Sequence, residues 1–193
     1  MFLPFLFSAM KDREILSYFR TMNFRIATER DIPALDKLVN SAYRGDSSRK
    51  GWTTEADLLD GIRTSETGLH EMMAKKDAVI LIAEENEIDG CVYLEKQEDS
   101  LYLGMLTVKP DLQGKGIGAA LMKASELKAK EMGCYNIRMT VITVREELIA
   151  YYKRKGFKDT GERAPFPTDP KFGIPKQPLE FMVMEKHLGD YGK

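Results

Sequence analysis

Cysteine is scarce in this chain. Cys91 and Cys134 are the two that occur, in unrelated contexts, with no CxxC or His/Cys spacing around them. That excludes a disulfide framework and leaves no pattern for a metal site, so no metal is expected. A reducing cytoplasm is the simplest setting for such a chain. A surplus of charge is missing as well: 29 Lys and Arg stand against 30 Asp and Glu, a net charge of −1. Without a basic excess to neutralise phosphates, nucleic acid is not an expected partner. Long apolar runs are also wanting. Residues 1–10, MFLPFLFSAM, are apolar but too short to span a bilayer, and no basic region leads them. Neither a membrane span nor a secretory signal is expected. The two histidines, His70 and His187, are isolated and read as surface residues.

What is present is ordinary for a globular protein. The chain has 193 residues, 43% hydrophobic and 31% charged, which suits one domain able to bury a core. Residues 1–22 read as an extension, with a helix over Asp12–Met22, and Met22 stands as a second candidate start. Asn23–Thr28 alternates as a strand. Asp31 is then expected to cap a helix with Pro33 in its first turn and Ile32, Leu35, Leu38, Val39 and Ala42 on one apolar face. The loop 43-YRGDSSRKGW-52 follows. Thr54 and Asp57 have the spacing of a capping box for a second helix anchored by Leu58, Leu59 and Ile62. A short helix is expected near Gly68–Lys76.

Three strands come next, Ala78–Glu84, Cys91–Lys96 and Ser100–Val108, in an antiparallel meander. A helix over Gly116–Glu131 stops at Gly133. Asn136–Val144 reads as a strand, Glu146–Lys155 as a helix, and Phe157–Thr160 and Leu179–His187 as the last strands. Between these two strands lies 161-GERAPFPTDPKFGIPKQP-178. Its prolines rule out a central strand or a helix, which leaves a stiff surface connection or a wall over a pocket.

The stretch 109-KPDLQGKGIGAALMK-123 carries the chemistry. Gly114, Gly116 and Gly118 alternate directly before a helix. The first-turn N–H groups of a helix have no internal partners, and the helix dipole favours an anion there. Glycines let the backbone curl so that successive amides meet one phosphate group. A P-loop is excluded by the missing GK[ST] ending. A dinucleotide fold would need an acidic residue at the end of the next strand, and NIRMTVITV offers none.

The pattern Gln113-x-x-Gly116-x-Gly118 resembles the Q/R-x-x-G-x-G/A motif of the GNAT superfamily of N-acetyltransferases. LYLGMLTVKPDLQGKGIGAALM resembles that family's fourth strand, loop and third helix. 151-YYKRKGF-157 resembles its F-Y-x-x-x-G-F signature. The resemblance covers residues 23–188 as one domain, with a tail at 189–193. It implies an α/β fold with a mixed, mostly antiparallel sheet of six to seven strands. Helices would flank both faces, and the sheet would splay between the family's fourth and fifth strands. The implied activity is transfer of an acetyl group from acetyl-CoA to the amine of a small molecule or peptide. The alternative is a non-catalytic acetyl-CoA sensor or partner subunit of the same fold. A homodimer is compatible with the resemblance.

Residue by residue, the resemblance places the pantetheine arm against the backbone of Leu106, Thr107 and Val108, as an added strand. The pyrophosphate would rest on the amides of Gln113, Gly114, Lys115, Gly116, Ile117, Gly118 and Ala119. Tyr152 matches the tyrosine that protonates the departing thiolate, and Tyr151 would be packing. Arg145 stands where many members have a cofactor-contacting asparagine. The strand lacks the glutamate that some members use as base, so either a bound water relays the proton or a carboxylate from elsewhere serves; Glu84, Glu85 and Glu95 lie near strand ends, and none is assigned the role. Acceptor specificity would come from the loop with Tyr43, Arg44 and Trp52, whose cations suit a substrate carboxylate.

Overall fold

The computed structural model describes residues 22–189. The expected extension 1–22 with its Asp12–Met22 helix lies outside the described residues apart from Met22, and the tail beyond residue 189 does too. A mixed sheet of seven strands forms the frame. β1 (Asn23–Ile26), β3 (Ala78–Glu84), β4 (Ile88–Gln97), β5 (Ser100–Val108), β6 (Asn136–Ile142), β9 (Glu180–His187) and β7 (Lys158–Pro165) lie side by side in that order. β2 (Leu59–Asp60) and β8 (Ile174–Pro175) pair separately as a two-residue ladder. The helices are α1 (Ile32–Tyr43), α2 (Gly45–Ser48), α3 (Glu66–Ala74), α4 (Ile117–Glu131) and α5 (Glu146–Arg154).

Both sheet faces are covered because alternate residues carry apolar side chains to opposite sides. Leu81, Ala83, Val92, Leu94, Leu101 and Leu103 pack under α4. Ile80, Ile82, Cys91 and Tyr93 pack under α1 and Leu69 of α3. The expected apolar face of α1 is buried throughout, Ile32 and Leu38 included. α4 ends in a Schellman motif: the Cys134 amide donates to Ala129 O and the Gly133 amide to Lys130 O, with Gly133 at φ +70°.

All neighbouring strands run antiparallel except β5 and β6. Those two pair in parallel only from Ser100–Tyr102 to Asn136–Arg138 and then diverge. β5 is also irregular on its other side. Cys91 faces Thr107 and Tyr93 faces Gly104, so Val92 opposes two residues, Met105 and Leu106. Met105 takes φ +51° to accommodate the extra residue. The bulge reverses the alternation: Leu101 and Leu103 point to α4, whereas Met105 joins the α1 side.

Three expectations need correction. No helix starts at Thr54. Residues 55–58 form a turn leading into β2, because the Leu58 carbonyl accepts from the Lys176 amide and Asp57 is held by Arg49. The Thr54 hydroxyl caps the nearby Ala56 amide instead. Asp31 does not cap α1 with its side chain. It closes a capping box with Thr28 around the short 3-10 turn Glu29–Asp31. The strand expected at Phe157–Thr160 becomes β7 and extends to Pro165, which its place at the sheet edge permits.

Arg25 ties the N-terminal edge together. Its guanidinium donates to both Asp31 oxygens at 2.7 Å and to both Glu84 oxygens at 2.8 and 2.9 Å. These bonds are the main reason both carboxyls are held below their usual range. A carboxyl with a depressed folded pKa stabilises above its unfolded pKa and loses that contribution as pH falls. Arg25→Ala is therefore expected to cost about 1 kcal/mol at neutral pH. The deficit should shrink on acidification through the carboxylate range below about pH 4. Urea unfolding of both proteins over a pH series checks this.

Candidate active site

Where β5 and β6 part, two cavities open and meet. The first is a cleft of about 240 Å³ between the end of β5, the glycine loop and α5. Leu106, Val108, Gln113, Gly114, Gly116, Ile117, Gly118 and Ala119 line it, so most of the expected cofactor residues come together. Gly114 and Gly116 sit at φ +79° and +92°, where a side chain is strained, and Gly116 caps α4. Gly118 has an ordinary helical backbone. A Cβ there would point at Val108 and the Tyr151 hydroxyl, 3.6 and 3.9 Å away. The glycines thus do different jobs: two shape the turn, and the third leaves room. Two expected residues lie apart from the cleft. Lys115 is exposed on the outside of the loop. Thr107 is buried, and its hydroxyl donates to Met105 O.

Tyr152 is positioned by the end of α5. The Phe157 amide donates to Tyr152 O, the Gly156 amide donates to Lys153 O, and Gly156 takes φ +92°. This is again a Schellman stop, with its usual apolar contact supplied by the Tyr152 and Phe157 rings at 5.8 Å. The Y-x-x-x-G-F spacing is therefore a helix terminator that also fixes a tyrosine. Tyr152 is buried, and burial pushes its hydroxyl pKa well above the usual value. Tyr151 lines the cleft rather than only packing, with Lys155 over its ring at 5.6 Å. The basic run at 153–155 thus gives one cation, Lys155, to the cleft.

The second cavity is a chamber of about 440 Å³ on the α1 side. Tyr43 and Arg44 from the end of α1 line it, with Tyr102, Met105, Thr140 and Arg145. The Pro-rich segment supplies Phe166, Pro167 and Phe172, so it forms a wall. Pairing of β8 with β2 and the bond from Lys176 Nζ to Ala56 O (2.8 Å) pin that wall in place. Tyr43 donates to Leu106 O at 2.6 Å, and burial pushes its own pKa up to about 12. Leu106, Leu148 and Tyr152 line both cavities and mark their junction.

Sequence reasoning missed two chamber residues, Glu55 and Arg63, and gave a third, Glu95, no role. Glu55 was hidden by the expected second helix. Its carboxylate accepts from Arg44 Nη1, and its amide donates to Tyr43 O. Arg63 stands 5.4 Å over the Tyr43 ring. Burial pushes the Glu95 carboxyl up, but bonds from the Tyr93 hydroxyl and Lys75 outweigh this and hold it low.

Trp52 lies on the cleft side of the junction, away from the chamber, with its ring 5.1 Å from that of Tyr151. Two residues pin its loop. Gln113 Oε1 accepts from the Trp52 amide at 2.9 Å, and its Nε2 donates to Thr53 Oγ1 and Val108 O. Arg145 is buried, and its guanidinium donates to the carbonyls of Trp52 and Thr53 and to Glu147. The Gln113 and Arg145 side chains are thus both engaged in holding this loop. Among the described residues, no cluster of three metal-ligating side chains occurs, and no helix is long and apolar enough to cross a membrane.

A family model described as an acetyltransferase (GNAT) domain matches residues 58–166. A mycothiol acetyltransferase of Propionibacterium freudenreichii is 40% identical over 53 residues, 28% of this chain and 17% of that protein. The match thus spans well under two thirds of that relative. The fold is shared with the ribosomal-protein-S18-alanine N-acetyltransferase of Escherichia coli. That structure has a TM-score of 0.66 at 16% identity, over 89% of this chain and 97% of the other. It is shared too with YncA of Salmonella typhimurium, solved with its cofactor acetyl-CoA. There the TM-score is 0.64 at 19% identity, over 90% and 97% of the two chains.

The Gln113 pin yields a direct test. Gln113→Ala removes one acceptor and two donor bonds and is expected to cost about 1–3 kcal/mol. Hydrogen exchange at the Trp52 amide should accelerate more than exchange in the sheet, as mass spectrometry of the two proteins would show.

Proposed function

The chain belongs to the GNAT acetyltransferase family, and from that premise we propose that it is an N-acetyltransferase. It would move an acetyl group from acetyl-CoA to the primary amine of a small molecule or peptide, by direct attack with both substrates bound. The observation that carries this reading is the junction: a glycine-loop cleft and a separate chamber meet at Leu106 and Tyr152.

The cleft suits acetyl-CoA. The first-turn amides of α4, at Ile117, Gly118 and Ala119, have no helical partners and favour an anion. Gly118 leaves space above them, and Lys155 adds a cation beside them. The amides of residues 113–119 would hold the pyrophosphate, with Lys115 contributing charge from outside. The backbone of Leu106, Thr107 and Val108 would pair with the pantetheine arm where β6 has turned away. Acetyl-CoA supplies an acyl group already activated as a thioester.

The remaining work falls to this chain's residues. An ammonium must lose a proton before it can attack. Glu55 is the carboxylate best placed to take it. It lines the chamber beside Tyr43, whose carbonyl accepts from the Glu55 amide at 3.0 Å, and its carboxylate accepts from Arg44. The Leu106 amide would hydrogen-bond the carbonyl oxygen as charge develops, on a residue whose own carbonyl is held by the Tyr43 hydroxyl. Tyr152 keeps its proton at neutral pH and would hand it to the departing sulfur.

Gly118→Trp is expected to weaken acetyl-CoA binding by tenfold or more, roughly 1.4 kcal/mol, because the indole takes the space over the α4 amides. Calorimetric titration would reveal an unchanged affinity if the cleft is misassigned. Tyr152→Phe should leave acetyl-CoA affinity near wild type while lowering kcat by roughly 10²-fold. Thiol release with a panel of amines measures this, and an undiminished rate removes the tyrosine from the reaction.

A further inference from the structure

The chamber's charges do not cancel. Arg44, Arg63, Lys75 and Arg145 line it against two carboxylates, Glu55 and Glu95. Lys75 pairs with Glu95 at 3.0 Å, Arg44 with Glu55, and Arg145 with Glu147 outside the chamber. Arg63 is left over. Among the described residues no carboxylate lies within salt-bridge distance of it, and its guanidinium rests on the Tyr43 ring. Arg44 is unfinished as well. It is 7% exposed, and its Nε and Nη2 have no hydrogen-bond partner. A buried guanidinium with unused donors is costly until an anion or a carbonyl meets them.

Position gives the imbalance its meaning. The Tyr43 hydroxyl end reaches Leu106 O at the junction, while Arg63 covers the ring behind it. Arg63 is therefore about one tyrosine ring away from the proposed site of attack. Glu55 lines the same chamber, paired with Arg44, and its carboxylate suits an ammonium. Phe166, Phe172 and Phe181 give the chamber an apolar stretch of wall as well.

We propose that the acceptor is an amine that also carries a carboxylate, and that Arg63, supported by Arg44, binds that carboxylate. This rests on the acetyltransferase reading above and names its substrate class. Arginine's planar fork matches a carboxylate in two parallel hydrogen bonds, and the partly buried site strengthens them. The ammonium then faces Glu55, and an apolar side chain faces the phenylalanines. The chemical class is a free amino acid or a close analogue. A peptide N-terminus does not meet the requirement, because a neutral peptide carbonyl stands where a free amino acid carries its carboxylate.

The test compares matched pairs. Free amino acids and their C-terminal amides, which differ only in the carboxylate, are offered with acetyl-CoA to the wild type, Arg63→Gln and Arg63→Lys. Thiol release gives kcat/KM, calorimetry gives acetyl-CoA affinity, and thermal melting checks the fold. Wild type should prefer the acid over its amide by about tenfold or more. In Arg63→Gln that ratio should fall to about one, chiefly through KM for the acid, with acetyl-CoA affinity intact. Arg63→Lys should keep part of the preference, since it keeps the charge but loses the fork. Amides or simple amines used as well as acids by wild type, or an unchanged acid-to-amide ratio in folded Arg63→Gln, would overturn the carboxylate assignment alone. Acetyl-CoA binding without turnover of any amine would overturn the enzyme reading and this inference together.

Discussion

Everything at this site depends on the short partnership of β5 and β6. Two parallel strands that stayed paired would leave no opening and no free backbone along β5. Here the pairing stops after Tyr102 and Arg138. From that point β5 has a neighbour on one side only, and its other edge can receive an extended ligand. The bulge at Met105 and Leu106 adds to the effect. It bends the strand, moves Met105 to the α1 face, and sets Leu106 where the cleft and chamber meet.

The loops then close around the gap by polar pins more than by apolar packing. Gln113, whose backbone belongs to the glycine loop, sends its side chain to Trp52 and Thr53. A Cβ on Gly51 would come within 2.6 Å of Gln113 Oε1, so a side chain at residue 51 would push the Gln113 amide from its present place. Arg145 grips the same two residues from the start of α5. The Pro-rich wall is fastened through β8 and Lys176. These ties let a chamber with several charged side chains hold its shape, since each pin satisfies donors that burial would otherwise penalise.

The chamber's electrostatics follow from that enclosure. Burial keeps Tyr43 and Tyr152 protonated, so both hydroxyls remain donors at neutral pH. The same burial makes unpaired charge expensive, which is why the ion pairs in the chamber carry information and exposed ones elsewhere do not. Arg49 and Asp57, for example, pair on the surface and say nothing about ligands.

The order of the seven sheet strands and of the long helices, the apolar face of α1 and the glycine turn before α4 were legible in the chain alone. These depend on local periodicity, on glycines with positive φ and on helix stops, all written within a few residues of one another. Gly133 ended its helix as its position implied, and the Tyr152 to Phe157 spacing stands out because one helix stop, at Gly156, contains both residues. The tertiary structure alone decided which charged side chains share a cavity. Thr54 and Asp57 looked like a helix start, yet Lys176, more than a hundred residues on, pulls their neighbours into a turn and a short ladder. That exchange brings Glu55 and Arg63 to the chamber and leaves Trp52 at the cleft. No local pattern encodes it, because a contact between distant segments is set by where the sheet carries them and not by the residues beside them in the chain.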